Sequence, residues 1–228
     1  MIGALVGALA LAVAGIATAG TKNGVTFVTK YSTTTPGAPT GFTTSIEGAA
    51  RDAQGRLDPA NRVIVNFQRG TKFDTAVPAR CDEDTLREEG VAGCPRRSIV
   101  GSGSAEAISG LAAIDPIQEE ITAVNTRGGI IFYLTGLQTL ILEGKLRGSR
   151  LTVDVPPLPI PGNPKGAVLT KFELKIKRIR RGRRAYVTTP RTCSRRWTVR
   201  ATFQYPNVDD IRSIPSNTRC KKPRRSRR

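Results

Sequence analysis

Residues 196–205 read RWTVRATFQY, and this stretch sets the class of fold. Every second residue is apolar, and each apolar residue is separated from the next by Thr, Arg or Gln. A period of two places the apolar residues on one face of a β-strand and is incompatible with a helix. We therefore predict a half-buried strand. Its buried face is formed by Trp197, Val199, Ala201, Phe203 and Tyr205.

The same alternation recurs along the chain and predicts an all-β protein. Residues 61–67 and 171–177 show it most clearly, and 23 Gly with 15 Pro provide frequent turns. About eleven strands suffice for a single antiparallel β-sandwich, jelly-roll or Ig-like, with one short helix at 82–89 inside a disulfide loop. The other strands are predicted near 25–31, 41–47, 98–108, 119–125, 129–135, 138–146, 149–155, 184–188 and 196–205.

The ends of the chain differ from its middle in composition. Residues 1–19 are uncharged, small and aliphatic and end in Ala17-Thr18-Ala19, which predicts a signal peptide cleaved after Ala19; an uncleaved anchor is the alternative. We expect residues 20–220 to form a single β-sandwich domain and residues 221–228 a disordered basic tail. The predicted location is secreted, extracellular or associated with the cell envelope, without a transmembrane span after cleavage.

Four cysteines fit an oxidising compartment. Of three possible connectivities, we predict the two local pairs, Cys81 with Cys94 and Cys193 with Cys220, because each brackets a turn or hairpin. The first pair closes a loop of about fourteen residues, and in the chain-entropy model this cross-link stabilises the folded protein by about 3 kcal/mol. A zinc site of four thiolates normally needs cysteine pairs two to four residues apart, and these spacings do not provide them.

A resemblance to a known group of proteins rests on residues 81–107, residues 190–205 and the final Cys220. The order of Cys, helix, Cys-Pro and Gly-Ser-Gly in the first stretch resembles uncharacterised secreted β-rich proteins of high-GC actinobacteria. The resemblance implies export and an all-β fold, and no activity. The chain departs from that pattern at Ser194, where Pro is common, and at residues 206–210, where a tight Asp-Gly turn is usual.

The sequence contains no strong signal for a catalytic or metal site. The chain has no His, which excludes Ser-His-Asp triads and His-containing zinc sites. The carboxylates of Asp115, Glu119 and Glu120 are the densest uncommitted group, but adjacent strand residues point to opposite faces. Residues 52–58 resemble a calcium loop only superficially, and residues 101–104 lack the Lys of a phosphate loop. We predict no catalytic residue, no metal and no cofactor.

The basic residues are concentrated at the C-terminal side. Residues 1–164 hold 15 Lys or Arg and 15 Asp or Glu, whereas residues 165–228 hold 21 and three, so the whole excess of +18 lies there. Codon bias of a high-GC genome, or a solvated end without function, are the alternatives to a binding role. The predicted polyanion-binding residues are Lys175, Lys177, Arg178, Arg180, Arg181, Arg183, Arg184, Lys221, Lys222, Arg224, Arg225, Arg227 and Arg228.

These charges predict a noncatalytic β-sandwich that binds an anionic envelope polymer, lipid head groups or a polysaccharide through its C-terminal third. Few aromatic residues accompany the arginines, which speaks against base stacking and sequence-specific nucleic-acid recognition. The alternative function is a carbohydrate-active enzyme or lectin whose carboxylates cannot be located from the sequence.

Overall fold

The computed structural model describes residues 17–160 and 163–221. One α-helix, α1 (Glu83–Glu89), is followed by two short 3-10 turns, Gly90–Gly93 and Arg96–Ser98. The strands in chain order are β1 (Ala17–Thr18), β2 (Gly20–Lys22), β3 (Val25–Tyr31), β4 (Pro39–Thr40), β5 (Phe42–Glu47), β6 (Arg62–Asn66), β7 (Lys72–Phe73), β8 (Ile99–Ile108), β9 (Ile117–Asn125), β10 (Gly129–Thr135), β11 (Leu140–Arg147), β12 (Arg150–Asp154), β13 (Leu158–Ile160), β14 (Asn163–Ile176), β15 (Arg180–Arg181), β16 (Arg184–Ala185), β17 (Val187–Thr188), β18 (Arg196–Gln204) and β19 (Ile211–Arg219).

Fourteen of these strands form one antiparallel sheet. Its order is β1-β19-β18-β6-β12-β11-β10-β9-β8-β14-β5-β3-β2, with β13 attached to β14. Strands β8 to β12 are consecutive in sequence and form a meander. The strands of the basic C-terminal third are interior ones, because β14 lies between β5 and β8 and β18 lies between β6 and β19.

The two ends of this strand order meet again, so the sheet curls around a single core. The Thr29 N–H of β3 donates to Ser216 Oγ of β19 at 2.8 Å, and the Ser216 hydroxyl donates to Thr29 O at 3.1 Å. The Thr218 hydroxyl also donates to Thr29 O, at 3.2 Å. In the same seam, β1 pairs with β19 and β2 pairs with β3. The predicted all-β antiparallel class is confirmed, with its layers joined in one continuous sheet.

The core contains the apolar face predicted from residues 196–205, all five residues of which are buried. Trp197 packs edge-on against Tyr31 with ring centroids 5.5 Å apart. Phe42, Phe67 and Phe73 complete an aromatic cluster beside them. Phe73 belongs to a three-stranded sheet, β4-β17-β7, which lies at this end of the large sheet. Aromatic packing therefore closes one end of the core.

The helix and the disulfides also agree with the sequence. Asp82 caps α1 by accepting the Asp84 N–H at 3.1 Å, and Gly90 ends the helix with a φ of 68°, a conformation that favours glycine. Leu86 packs against Val124 and Ile131 on the outer face of β9 and β10. Both predicted disulfides, Cys81–Cys94 and Cys193–Cys220, are present, and no cysteine is free.

Three differences between the expected and observed strands concern the C-terminal part of the chain. Strand β14 begins at Asn163, eight residues before the predicted start, and pairs with β13, which lies in the proline-rich stretch 155–164. The predicted strand at 184–188 is two short strands, β16 and β17. Strand β19 was not predicted, because Pro215 interrupts it and its buried positions include the hydroxyl residues Ser216 and Thr218.

The predicted leader and tail fall mostly outside the described residues, at 1–16 and 222–228. The predicted cleavage point after Ala19 lies between β1 and β2 and stays a prediction. Within the described ranges, no helix is both long enough and apolar enough to cross a membrane.

Candidate functional site

The strands are antiparallel, so each connection between strands lies at one of the two ends of the sheet. We call the end that contains the aromatic cluster the cationic end and the opposite one the far end. The connections of the cationic end are 32–41, 67–98, 126–128, 148–149, 177–195 and 220–221. Those of the far end are 23–24, 48–61, 109–116, 136–139, 155–157 and 205–210.

Charge is divided unequally between these ends. The connections of the cationic end hold 16 Lys or Arg and six Asp or Glu, a sum of 16 − 6 = +10. Those of the far end hold two and five, a sum of 2 − 5 = −3. Five of the six acidic residues at the cationic end belong to α1 and its cap, on the outer face of β9 and β10. The sixth is Asp74.

The predicted cluster at 175–184 lies on an exposed hairpin. Its tip is formed by β15, β16 and the turn at Gly182, whose φ is 58°. The base is fixed by the Tyr186 N–H, which donates to Ile179 O at 3.0 Å. Arg184 binds the Asp74 carboxylate through Nε at 2.9 Å and a terminal nitrogen at 2.8 Å. All seven predicted cations are exposed: Lys175, Lys177, Arg178, Arg180, Arg181, Arg183 and Arg184.

The base of the predicted tail lies at the same end as the hairpin. The Lys221 N–H donates to Thr34 O at 2.8 Å, beside the Cys193–Cys220 disulfide. The loop at 32–41 then continues to the hairpin side, where the Gly37 N–H donates to Pro190 O at 3.0 Å. Lys221 is exposed. The other predicted tail residues, Lys222, Arg224, Arg225, Arg227 and Arg228, lie outside the described residues.

Sequence reasoning missed a second set of arginines, on the outer face of the sheet. The register places Arg200, Asn66, Arg150 and Arg147 side by side on β18, β6, β12 and β11. We call these four residues the arginine row. Closer to the cationic end, Arg196 and Arg219 lie directly opposite each other on β18 and β19. Arg147 and Arg150 flank the two-residue turn between β11 and β12, but only the pairing of β6 with β12 and β18 brings Arg200 next to them.

No aromatic side chain is available as a stacking surface. All seven Phe, four Tyr and one Trp fall within the described residues, and each is buried except the half-buried Phe73 and Tyr133. A protein that holds bases or sugar rings by stacking needs an exposed aromatic face. The exposed basic surface therefore offers charge and hydrogen bonds without stacking.

The carboxylates considered for catalysis serve turns. Asp115 is partly desolvated, but hydrogen bonds from Ser109, Gly110 and Leu111 outweigh this and hold its pKa below the ordinary value. Burial raises the pKa of Glu119, although its carboxylate accepts the Leu137 N–H at 3.2 Å. Glu119 Oε2 has no hydrogen-bond partner. Glu120 is exposed on the opposite face, as alternation predicts.

The other two motifs are structural as well. Asp52 accepts the N–H groups of Gln54 and Arg56 at 3.0 and 2.9 Å, and its second oxygen binds Arg56 Nε at 2.8 Å. Residues 52–58 thus form a polar hairpin turn, closed by the bridge between Arg51 and Leu57. Residues 101–104 lie inside β8. Within the part of the chain that the structure describes, no group of three or more potential metal-ligating side chains occurs.

Two depressions mark the described surface. One, of about 250 Å³, is a shallow polar groove across β5, β14 and β8 and includes Ser45, Ser102 and Lys175. The other, of about 860 Å³, lies at the far end among small residues such as Gly24, Gly48 and Ala49. The first is lined by one carboxylate, Glu173, and the second by two, Glu106 and Asp209. Glycoside hydrolysis uses a pair of carboxylates. Glu106 accepts a hydrogen bond from Gln118 Nε2 at 3.0 Å.

In comparisons of sequence and structure, the chain matches no family model, no curated protein and no solved structure. The resemblance to secreted actinobacterial proteins therefore stays a prediction. Function has to be inferred from the charge distribution and from the residues that carry it.

Proposed function

We propose that this protein is a noncatalytic extracellular or envelope-associated β-protein that binds anionic polymers or surfaces through its cationic end. The sum of +10 over the connections of that end carries the proposal. Three hairpin residues, Arg180, Arg181 and Arg183, are exposed and make no ion pair within the described ranges. Such guanidinium groups are free to bind carboxylates, phosphates or sulfates.

The binding free energy expected from the hairpin arginines is sufficient for reversible attachment to an anionic surface. Near an anionic lipid surface each basic residue contributes about 1 kcal/mol, so the three hairpin arginines together contribute about 3 kcal/mol before ordering costs are deducted. The Debye length is about 8 Å at physiological salt, so the ligand must approach closely. We expect binding that weakens steeply as salt rises and discriminates little among polyanions.

The proposed location outside the cytosol is supported by the two disulfides. Disulfides persist in oxidising compartments and are rare in the cytosol. In such a compartment the accessible partners are envelope polymers, lipid head groups and extracellular polyanions. Neither disulfide contributes to ligand binding in this proposal; the Cys193–Cys220 bridge anchors the chain next to the cationic loops.

A charge-removal experiment with a matched control tests the proposal. In the test variant Arg180, Arg181 and Arg183 are replaced by Ser, and in the control Lys22, Arg51 and Arg212 at the far end are replaced by Ser. Both lose three charges. Binding to phosphatidylglycerol-containing vesicles and to long-chain polyphosphate is measured over a salt series. For the test variant, the slope of log K against log salt should fall by about 2 with polyphosphate, because each phosphate contact contributes about 0.7.

Two outcomes would overturn the proposal. Equal losses in the test and control variants would mean that net charge, and not the cationic end, governs binding. Turnover in an assay of acidic and neutral polysaccharides would instead support the carbohydrate-active alternative. Thermal unfolding of both variants, expected to be unchanged within about 0.5 kcal/mol for exposed substitutions, shows that each one is folded.

A further inference from the structure

We infer that the arginine row is a second polyanion site and that its ligand is an extended polymer bearing phosphate groups. The row consists of Arg200, Asn66, Arg150 and Arg147, and it lies on the outer face of the sheet. It shares no residue with the hairpin. The inference rests on the proposed function only for the class of ligand, an anionic polymer.

The first observation is that the arginines of this surface lack acidic partners. All four side chains of the row are exposed, and its three arginines form no ion pair within the described ranges. Cations elsewhere on the same face behave differently. Arg62 Nε lies 2.5 Å from Asp154, and Lys145 Nζ lies 3.7 Å from the same carboxylate. The fold therefore neutralises one group of cations on this face and leaves the row unneutralised.

The second observation is that like charges lie directly opposite each other. Arg147 is paired with Arg150 across β11 and β12, and Arg196 is paired with Arg219 across β18 and β19. Like charges in directly opposite positions destabilise a sheet. An anion held between the two side chains removes that repulsion, so each pair is suited to bind one.

The geometry of the pairs favours phosphate over carboxylate. One arginine fork occupies both oxygens of a planar carboxylate. A phosphate group presents its oxygens tetrahedrally, so two arginines on neighbouring strands can bind the same group. Sulfated polymers share this shape, so a sulfated polymer is one of the probes in the test.

The length of the row favours a polymer over a small anion. Four neighbouring strands span about 14 Å, since strands in a sheet lie about 4.8 Å apart. A chain that crosses the strands meets Arg200, Asn66, Arg150 and Arg147 in turn. Separate contacts along one chain raise the affinity by keeping the effective concentration high. A short anion such as tripolyphosphate reaches only part of the row.

The test removes two arginines of the row and compares them with two paired cations on the same face. Arg150→Ser with Arg200→Ser is the test variant, and Arg62→Ser with Lys145→Ser is the control. Both lose two charges, and both control cations already have an acidic partner, Asp154. Arg62 lies about 13 Å along β6 from Asn66 of the row, and Lys145 lies about 7 Å along β11 from Arg147. We expect long-chain polyphosphate to bind the test variant about 30-fold more weakly and the control less than about threefold more weakly.

Other probes and one further variant fix the ligand class. Dextran sulfate, polyglutamate and tripolyphosphate should show smaller losses than long-chain polyphosphate, and an equal loss with any of them overturns the phosphate-polymer assignment. Arg150→Lys with Arg200→Lys should recover most of the binding. If this variant binds as weakly as the Ser variant while unfolding normally, charge at the row is not what binds the polymer.

The hairpin variant, measured in parallel, separates this inference from the proposed function. If the hairpin variant loses affinity and the Arg150/Arg200 variant does not, the row is not a site and the proposed function stands. If only the Arg150/Arg200 variant loses affinity, the row is the site and the role of the hairpin is wrong. If neither loses affinity, both proposals fail.

Discussion

The two ends of the sheet use their charged residues for different purposes. At the far end, Asp52 binds Arg56 and the backbone of its own turn, and Asp154, the last residue of β12, binds Arg62. At the cationic end, the hairpin has one acidic partner, Asp74, which binds Arg184. Charges of the far end are thus used within the fold, whereas most of those at the cationic end remain available to a ligand.

The ends also differ in how the core is closed. The cationic end is closed by rings, among them Trp197, Tyr31 and Phe67. A separate cluster of smaller residues, including Ala107 and Ile117, lies toward the far end. The exposed cations of the hairpin take no part in this aromatic packing. Stability and charge can therefore be changed separately at the cationic end.

Truncating the aromatic base should cause the largest loss of stability. Trp197 is 1% exposed, packs against Tyr31 and donates its Nε1–H to Thr192 O at 2.8 Å. Trp197→Ala should lower the free energy of unfolding by about 3–5 kcal/mol, measured by urea denaturation. Ile117→Val in the other cluster is the control and should cost about 0.5–1.5 kcal/mol. Equal losses would contradict the special role of the aromatic base.

The disulfides provide a second comparison between regions. Cys193 and Cys220 are 27 residues apart and stabilise the cationic end, whereas Cys81 and Cys94 are 13 apart beside the acidic helix. In the chain-entropy model, replacing both cysteines by Ser should cost about 3.6 kcal/mol for the longer loop and about 3.0 kcal/mol for the shorter one. Chemical denaturation of the two double variants gives these values, and a larger loss for the shorter loop would contradict the entropic ranking.

The structural features that could be predicted from the sequence are those that depend on residues close together in the chain. The period of two at residues 196–205, the cap at Asp82 and the local cysteine pairs are short-range features, and the structure confirms them. Strand β19 has no such signal, since Ser216 and Thr218 are buried only because they bind Thr29 across the seam.

The same distinction holds for the candidate site. The hairpin cations lie close together in sequence and were predicted as a cluster, and the structure shows them exposed. Arg147 and Arg150 are neighbours through the local β11–β12 hairpin, whereas Arg200 joins them only through the pairing of β6 with β12 and β18. Long-range pairing carries no pattern in one sequence, so the place of Arg200 and Asn66 beside Arg150 could not be predicted.

The far end offers a test of buried charge. Burial raises the pKa of Glu119 above its ordinary value of 4.5, and Glu119 Oε2 lacks a hydrogen-bond partner. The pKa of Glu119 is higher in the folded protein than in the unfolded chain. The stability that the protonated carboxyl contributes at low pH is therefore lost as the pH rises through the folded pKa. Glu119→Gln does not titrate and keeps an oxygen for the Leu137 N–H. We expect it to be more stable than the wild type by about 1 kcal/mol at pH 7, with the difference vanishing near pH 4. Thermal unfolding at the two pH values measures it, and a constant difference would contradict the titration.

The smallest change in stability should come from Asp74, the acidic residue that neutralises part of the hairpin. Asp74→Asn removes the ion pair with Arg184, whose side chain is 61% exposed, so the loss of stability should be about 0.5 kcal/mol. Binding should move in the opposite direction, because the variant frees a guanidinium group that contributes about 1 kcal/mol near an anionic surface, a gain of about fivefold. Asp210→Asn is the matched control, since it frees Arg212 at the far end. If polyanion affinity rises equally in both variants, the gain comes from net charge and the two ends do not differ; if it rises only for Asp74→Asn, the hairpin is the surface that the ligand contacts.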